Sequence, residues 1–309
     1  MLATVVIVLR LLQYGGATIL FGASLFFIYG LPGHGVSAAA SFTWPKKLLV
    51  SSAAVVLAGS VLGLIAQTGA LVGSIRDGFE PANLEAVIRQ MNFGIAAIVR
   101  AGVAAALLAC LTALAPSRLV WVCCAIGGAI VCASFAWMGH GAASEGPAAI
   151  VHLAADIIHS LAASVWIGAL VAFVFLLLPN RNADESDKAL YKALHRFSGI
   201  GSAVVALIVL TGLINSWFLV GPDRLVDFWT GAYGQVLLVK LAVFAGMLGL
   251  AASNRYRLTP ALGDALDVGF SRAPPLSALR RSIALETIAA FVVLGLVAWL
   301  GTLAPPTAL

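Results

Sequence analysis

The chain has 309 residues, of which 61% are hydrophobic and only 10% are charged, and its mean hydropathy is +1.02. Soluble domains carry about 25% charged residues, so this chain cannot cover its surface with ionic groups and is predicted to be a membrane protein. The composition excludes nucleic-acid binders, disordered scaffolds and disulfide-stapled secreted domains, and the net charge of +5 is interpreted as a sign of membrane topology.

Eight apolar runs are long enough to cross a bilayer as helices, which requires about 20 residues each. They predict an all-α polytopic membrane protein with spans at about residues 4–29, 48–73, 92–114, 119–139, 148–178, 197–220, 233–254 and 282–302. The first run lacks a positively charged start and a small-residue cleavage pattern, so we expect a retained span and not a signal peptide. Residues 1–309 are predicted to form a single integral-membrane domain whose longest loop is 255–281.

The distribution of Lys and Arg predicts the orientation of the spans. Loops after spans one, three, five and seven hold twelve of the 18 Lys and Arg residues, whereas loops after spans two, four and six hold three. By the positive-inside rule, the twelve face the cytoplasm, so the loop 255–281 is cytoplasmic and both termini are periplasmic. The four cysteines lie in apolar runs without C-x-x-C spacing, which favours small buried side chains over a zinc or redox motif.

The densest group of ionisable residues surrounds spans four and five. His140 ends the fourth span, while His152, Asp156 and His159 are spaced by four and three residues and lie within roughly 60° of one another on one helix face. Imidazole and carboxylate suit a transition metal, and Met138 adds a thioether of the kind that favours Cu(I). His152 and His159 are about 10 Å apart along the helix axis, too far to bind one ion together.

This spacing predicts a relay, with His140 and His152 at the mouth of a site and Asp156 and His159 deeper. The alternative is a polar contact between helices in which these groups only satisfy one another.

Three cations lie inside spans at about the depth of Asp156, roughly 9 to 12 Å from the outer helix ends. They are Arg10, Arg100 and Lys240. A carboxylate in this layer predicts an internal ion pair, with Lys240 as the first choice, although Arg10 and Arg100 could instead reach the outer headgroups. Three cations would repel a metal ion. The sequence therefore also leaves open the alternative of a bound haem, whose propionate groups these three cations would hold.

Several other polar residues lie in the later spans. Asn215 and Asn254 are candidates for hydrogen bonds between helices, and Glu286 lies near the inner end of the eighth span, where Arg255 or Arg257 could pair with it. No phosphate-binding loop or serine-nucleophile motif is present, so ATP-driven pumping and serine hydrolysis have no support.

The second half of the chain contains the runs MGHGAA, HLAADIIHSLAASVWIGAL, RFSGIGSAVVALIVLTGLINSWFLV, YGQVLLVKLAVFAGMLGLAASNRYRLTP and LRRSIALETIAAFVVLGLVAWLGTLAP. Together they resemble the CopD family of bacterial copper-resistance inner-membrane proteins, most clearly over residues 138–305. The polar positions that match the family's pattern are His140, His152, Asp156, His159, Trp166, Asn215, Lys240 and Asn254. The resemblance implies import of copper across the bacterial inner membrane together with a separate periplasmic copper-binding protein of the CopC type.

The sequence therefore predicts a transporter-like protein, not an enzyme, that binds Cu(I) or Cu(II) on its periplasmic side. His140, His152 and His159 are the expected ligands, with Met138 as a further one, and Asp156 is expected to orient an imidazole or exchange a proton under the influence of Lys240. The supporting polar residues are Arg10, Arg100, Trp166, Asn215, Asn254 and Glu286. Two alternatives remain open: a haem b electron-transfer protein with two histidine ligands, and an assembly factor that delivers copper without transporting it.

Overall fold

A computed structural model describes residues 2–30, 44–138, 146, 148–178, 183–221, 229, 231–268 and 271–308. Over these residues the chain is helical and has no strand, and eight of its helices are long and apolar enough to cross a membrane. The prediction of an all-α polytopic membrane protein with eight spans is therefore confirmed. His140 lies outside the described residues.

The membrane-spanning helices are α1 (Leu2–Tyr29), α2 (Trp44–Val72), α4 (Asn92–Ala113), α5 (Arg118–Ser134), α6 (Ala149–Leu176), α7 (Ala183–Val220), α8 (Ala232–Ser253) and α10 (Ala273–Leu300). Two shorter helices connect spans: α3 (Pro81–Gln90) and α9 (Thr259–Val268). A π-helical segment, Asn254–Leu258, joins α8 directly to α9. A short 3₁₀ turn, Phe135–Trp137, follows α5.

Two helices begin well before the apolar runs that predicted them. Helix α7 begins at Ala183, whereas the run begins at about residue 197, and α10 begins at Ala273 instead of about residue 282. The early part of α7 is amphipathic: Leu190 and Leu194 are buried, while Lys192 and His195 are exposed. A search for apolar runs misses such a segment because half of its residues are polar. Helix α9 likewise lies within the segment 255–281, which was expected to be a loop.

Helix α1 lies at the centre of the bundle and packs against α2, α5, α6 and α10. Its crossing with α6 is a contact between backbones: a Cβ on Gly22 would overlap the Ser164 carbonyl, and a Cβ on Gly168 would overlap the backbone of Gly22. Small residues let membrane helices approach this closely, and the close approach brings the polar face of α6 next to α1. Phe26 of α1 packs edge-on against Phe173 of α6 in the core beside this crossing.

The second half of the chain forms a group of four helices in which α6 packs against α7 and α10, and α10 packs against α8. This group carries His152, Asp156 and His159 on α6, Asn215 on α7, Lys240 on α8 and Glu286 on α10. The four helices therefore bring together polar residues that are far apart in the sequence.

Candidate functional site

Two cavities lie one after the other along the axis of this four-helix group. The first, which we call the histidine cavity, has a volume of about 240 Å³ and is lined by His152, Asp156, His159, Asn215, Tyr233 and Lys240, together with Tyr14 of α1 and Cys132 of α5. The second, the glutamate cavity, has a volume of about 290 Å³ and is lined by Trp166, Ser202, Asn254, Arg255, Tyr256 and Glu286, among others. On α6, Ser164 and Ile167 line the histidine cavity while Trp166 and Leu170 line the glutamate cavity, so only a thin layer of side chains separates the two.

The ring of His159 is held in a defined orientation by α7. Its Nδ1 lies 3.0 Å from the Oγ1 of Thr211, and the Thr211 hydroxyl donates its own proton to the backbone carbonyl of Leu207. With the hydroxyl proton on the Leu207 carbonyl, the hydroxyl accepts from His159, and this hydrogen-bond pattern assigns the ring hydrogen to Nδ1. In the neutral ring, the lone pair then resides on Nε2, which is the arrangement that a metal-binding imidazole requires.

His152 occupies the other end of the polar face of α6. Its side chain is only 1% exposed, and its ring stacks on Phe218 of α7 with centroids 4.7 Å apart and planes 5° apart. This stacking fixes the ring plane at the wall of the histidine cavity. His152 and His159 are thus both positioned by α7, seven residues apart on one helix.

Asp156 lies between the two histidines, and Lys240 reaches the same cavity from α8. The two side chains interact electrostatically across the cavity, although no direct ion pair joins them in the described part of the chain. The direct ion pair expected from the sequence is therefore absent from the described part of the chain. A carboxylate in this position remains available to a cation, or to a protonated imidazole, that enters the cavity.

The two arginines of the cation layer are buried among protein acceptors. Arg10 and Arg100 are only 5% and 1% exposed, so neither reaches toward the headgroups. Arg10 donates to the Gly301 carbonyl and to Gln67, and Arg100 donates to Ser134 and, at 2.7 Å, to the Met138 sulfur. Each guanidinium binds protein acceptors through its terminal nitrogens and has a buried Nε without a hydrogen-bond partner. Neither arginine lines one of the two cavities, so the layer does not form a pocket for haem propionates.

Glu286 is clamped between two neutral donors in the glutamate cavity. Trp166 Nε1 donates to its Oε1 and Asn254 Nδ2 donates to its Oε2, each at 2.8 Å. The sequence suggested Arg255 or Arg257 as its partner, but Arg255 donates to Ser202 instead. The reason is the helix register: Asn254, whose N–H continues the α-helical bonding of α8 to the Leu250 carbonyl, faces the carboxylate of Glu286, and Arg255 lies one position further round the helix.

The structure brings five of the predicted site residues into the histidine cavity: His152, Asp156, His159, Asn215 and Lys240. It brings Trp166, Asn254 and Glu286 into the glutamate cavity. Met138 lies beside Arg100 and is not among the residues that line either cavity. No group of three or more His, Cys, Asp or Glu side chains close enough to hold one ion occurs among the described residues.

Residues of the histidine cavity such as Tyr14, Cys132 and Tyr233, and Thr211 beside His159, had no signal in the sequence. Tyr14 and Cys132 come from α1 and α5, and Cys132 Sγ lies 3.4 Å from the Ser164 hydroxyl. In the sequence, Thr211 cannot be distinguished from any other helical threonine whose hydroxyl bonds to the carbonyl of the preceding turn. Only the packing of α1, α5 and α7 against α6 reveals their place beside the histidines.

Comparison with known proteins gives two matching family models. The one described as Copper resistance protein D-like, N-terminal domain, matches residues 1–150, and the one described as Copper resistance protein D matches residues 191–300. Arg10, Arg100 and Met138 fall in the first match, and Lys240, Asn254 and Glu286 in the second. The polar face of α6 lies between them.

Curated relatives extend the similarity across the chain. The chain is 37% identical over 303 residues to copper resistance protein D of Pseudomonas syringae pv. tomato, which covers 97% of this chain and 96% of that protein. It is 36% identical over 119 residues to the copper transport protein CutJ of Bacillus subtilis, covering 38% of this chain and 21% of that protein. It is 31% identical over 173 residues to the inner membrane protein YebZ of Escherichia coli, covering 55% of each chain.

No solved structure shows significant similarity to this chain. The two family models, the near full-length relative and the eight spanning helices nevertheless agree with one another. The chain belongs to the copper resistance protein D family and is a multi-pass protein of the inner membrane.

Proposed function

We propose that this protein binds copper in the histidine cavity from the periplasmic side and passes it toward the cytoplasm. The ligands are His159 and His152, with Asp156 as the carboxylate that attracts the ion and orients an imidazole. In the sequence, His140 lies between α5 and α6. It is the proposed ligand at the mouth of the relay. The protein acts as a transporter and not as an enzyme, and its donor in the periplasm is a copper-binding protein of the CopC type.

One observation carries this proposal: the ring of His159 is fixed by Thr211 so that its Nε2 lone pair is available, and it lines a cavity that also contains His152 and Asp156. A side chain that only joined two helices would not need a neighbouring cavity of about 240 Å³. Histidine nitrogen with a second-shell hydrogen bond on the other ring nitrogen is the usual form of a metal-binding imidazole.

The spacing of the histidines supports transfer in steps. His152 and His159 are separated by about 10 Å of helical rise along α6, so one ion binds only one of them at a time. An ion at either position interacts with Asp156, which lies between them. A site in which each ligand set is incomplete binds copper weakly enough to release it, which is what passage through a membrane requires.

The test is copper accumulation in proteoliposomes that contain the purified protein. His152→Ala and His159→Ala should each abolish accumulation while leaving the helical content and thermal stability close to those of the wild type. His195→Ala is the matched control, because His195 is exposed at the far end of α7 and lines neither cavity.

Normal accumulation by both cavity variants would overturn the proposal. Wild-type protein that binds copper but accumulates none would instead indicate a delivery factor. A Soret band in the purified protein that disappears with His152→Ala would indicate haem.

A further inference from the structure

The glutamate cavity contains a buried carboxylate, Glu286, which has no role in the proposed copper site of the histidine cavity. Glu286 is 2% exposed, and within the described chain its two partners are the neutral donors Trp166 and Asn254. A carboxylate at membrane depth without a cationic partner is costly, and such groups mark proton or ion pathways. The glutamate cavity therefore needs an explanation beyond helix packing.

Asn254 provides the second observation. It is more than nine-tenths buried, and its Oδ1 has no hydrogen-bond partner, although its Nδ2 donates to Glu286. An acceptor buried without a partner costs about 1–3 kcal/mol, so its retention calls for a reason. Asn254 is also the first residue of the π-helical segment, and single π turns inside α-helices are frequent at functional sites.

The amide of Asn254 can serve both charge states of Glu286. With the carboxylate ionised, Nδ2 donates to Oε2, as the structure has it. With the carboxyl group protonated on Oε2, a half-turn of the amide places Oδ1 where it accepts that proton. Trp166 donates to Oε1 in both cases, so neither charge state leaves the carboxyl group without hydrogen bonds.

The remaining charged and titratable groups around Glu286 do not compete with Asn254 and Trp166 for hydrogen bonds to its carboxyl group. Arg255 and Tyr256 are the other such residues that line the cavity in the described structure, and Arg255 donates to Ser202. On α10 itself, Arg280 donates to the Leu177 carbonyl. The residues of α6 and α7 that line the cavity are apolar, aromatic, glycine or serine.

We propose that Glu286 is a proton-binding site in which Asn254 alternately donates to the carboxylate and accepts from the carboxylic acid. A monovalent cation such as Cu(I) that reaches the glutamate cavity replaces this proton, which leaves to water through the opening of the cavity, so the cavity has the same net charge before and after. The groups here that can bind a proton or a cation are hard oxygens, which hold a proton more tightly than they hold Cu(I), so the proton returns when the ion leaves. The exchange with copper rests on the proposed function, whereas protonation of Glu286 does not.

Infrared difference spectroscopy during a pH titration tests the site without copper. The wild type should show a carbonyl band of a protonated, buried carboxylic acid that appears as the pH falls. Glu286→Gln should remove it, and Asn254→Leu should shift it, because the acid then lacks an acceptor. Glu286→Gln preserves the shape of the side chain and can bond to both Trp166 and Asn254, so it should fold. Glu85→Gln, at an exposed carboxylate paired with Arg89, is the matched control and should leave the band in place.

Proteoliposomes with an enclosed pH indicator test the exchange. Copper that enters the glutamate cavity of the wild type should release about one proton per ion on the side to which that cavity opens. Glu286→Gln should lose this proton movement while still binding copper in detergent, and Glu286→Asp should restore part of it.

A missing carboxylic-acid band, or a band that persists in Glu286→Gln, would overturn the proposal. Copper uptake without proton movement in the wild type would overturn the exchange. Wild-type protein that takes up no copper would refute the proposed function alone, because the infrared result would still decide the role of Glu286.

Discussion

Replacing Thr211 by Val should weaken copper binding without disturbing the fold. Valine has nearly the same shape as threonine but lacks the hydroxyl that accepts the Nδ1 hydrogen of His159. Without that acceptor, the ring is free to rotate or to place its hydrogen on Nε2, where the hydrogen blocks the metal. The lone pair of His159 is then available for only part of the time.

The expected loss can be worked out from the partners that remain. Removing an outer-shell partner of a metal-binding histidine typically lowers metal affinity by about 10–100-fold, or roughly 1.4–2.7 kcal/mol. The ring of His159 also interacts with the backbone carbonyl of Ile208, which Thr211→Val does not remove. We therefore expect a loss near the lower end, about tenfold.

Copper affinity can be measured by competition with a chelator of known affinity, on protein in lipid nanodiscs. The control is Thr287→Val on α10, because the Thr287 hydroxyl also bonds back to its own helix, at 2.7 Å to Ile283, but lines neither cavity. Thr287→Val should bind copper as the wild type does. Equal affinities for Thr211→Val and the wild type would refute the argument that Thr211 fixes the tautomer of His159.

Two further predictions concern the bundle and the cation layer. Gly168→Ala should destabilise the folded protein by about 1–3 kcal/mol, because the added Cβ would push α6 away from Gly22 of α1. Thermal unfolding in detergent measures this, and Gly102→Ala, where a Cβ meets nothing within 4 Å, is the control. If both variants unfold at the wild-type temperature, the backbone contact does not hold these helices together. Met138→Leu should leave copper affinity unchanged, because the Met138 sulfur accepts from Arg100; a clear loss in the same chelator competition would instead make Met138 a ligand.

The sequence was sufficient to predict the spans because each one is a long apolar run. It was also sufficient to predict the polar face of α6, because helical spacing places His152, Asp156 and His159 together. It was not sufficient for the partners of these residues. Tyr14 and Cys132 belong to helices that lie far away in the sequence, and their place in the cavity depends on how α1 and α5 pack.

Glu286 illustrates a second limit. Proximity in the predicted topology made Arg255 or Arg257 a candidate partner of Glu286, because these residues lie near the same membrane face. Asn254, whose N–H still bonds to the Leu250 carbonyl in the register of α8, faces Glu286, whereas Arg255 turns to Ser202. The positions of the spans alone do not tell which of two neighbouring residues faces a given helix.

The arrangement of the two cavities in series has an electrical consequence. Lys240 and Asn254 line different cavities and are fourteen residues apart on one continuous helix, which corresponds to about 21 Å along its axis. That is roughly two-thirds of a hydrocarbon core about 30 Å thick. A unit charge that moves from the depth of Lys240 to the depth of Asn254 therefore crosses about two-thirds of the transmembrane voltage, which contributes about 1.5 kcal/mol for each 100 mV.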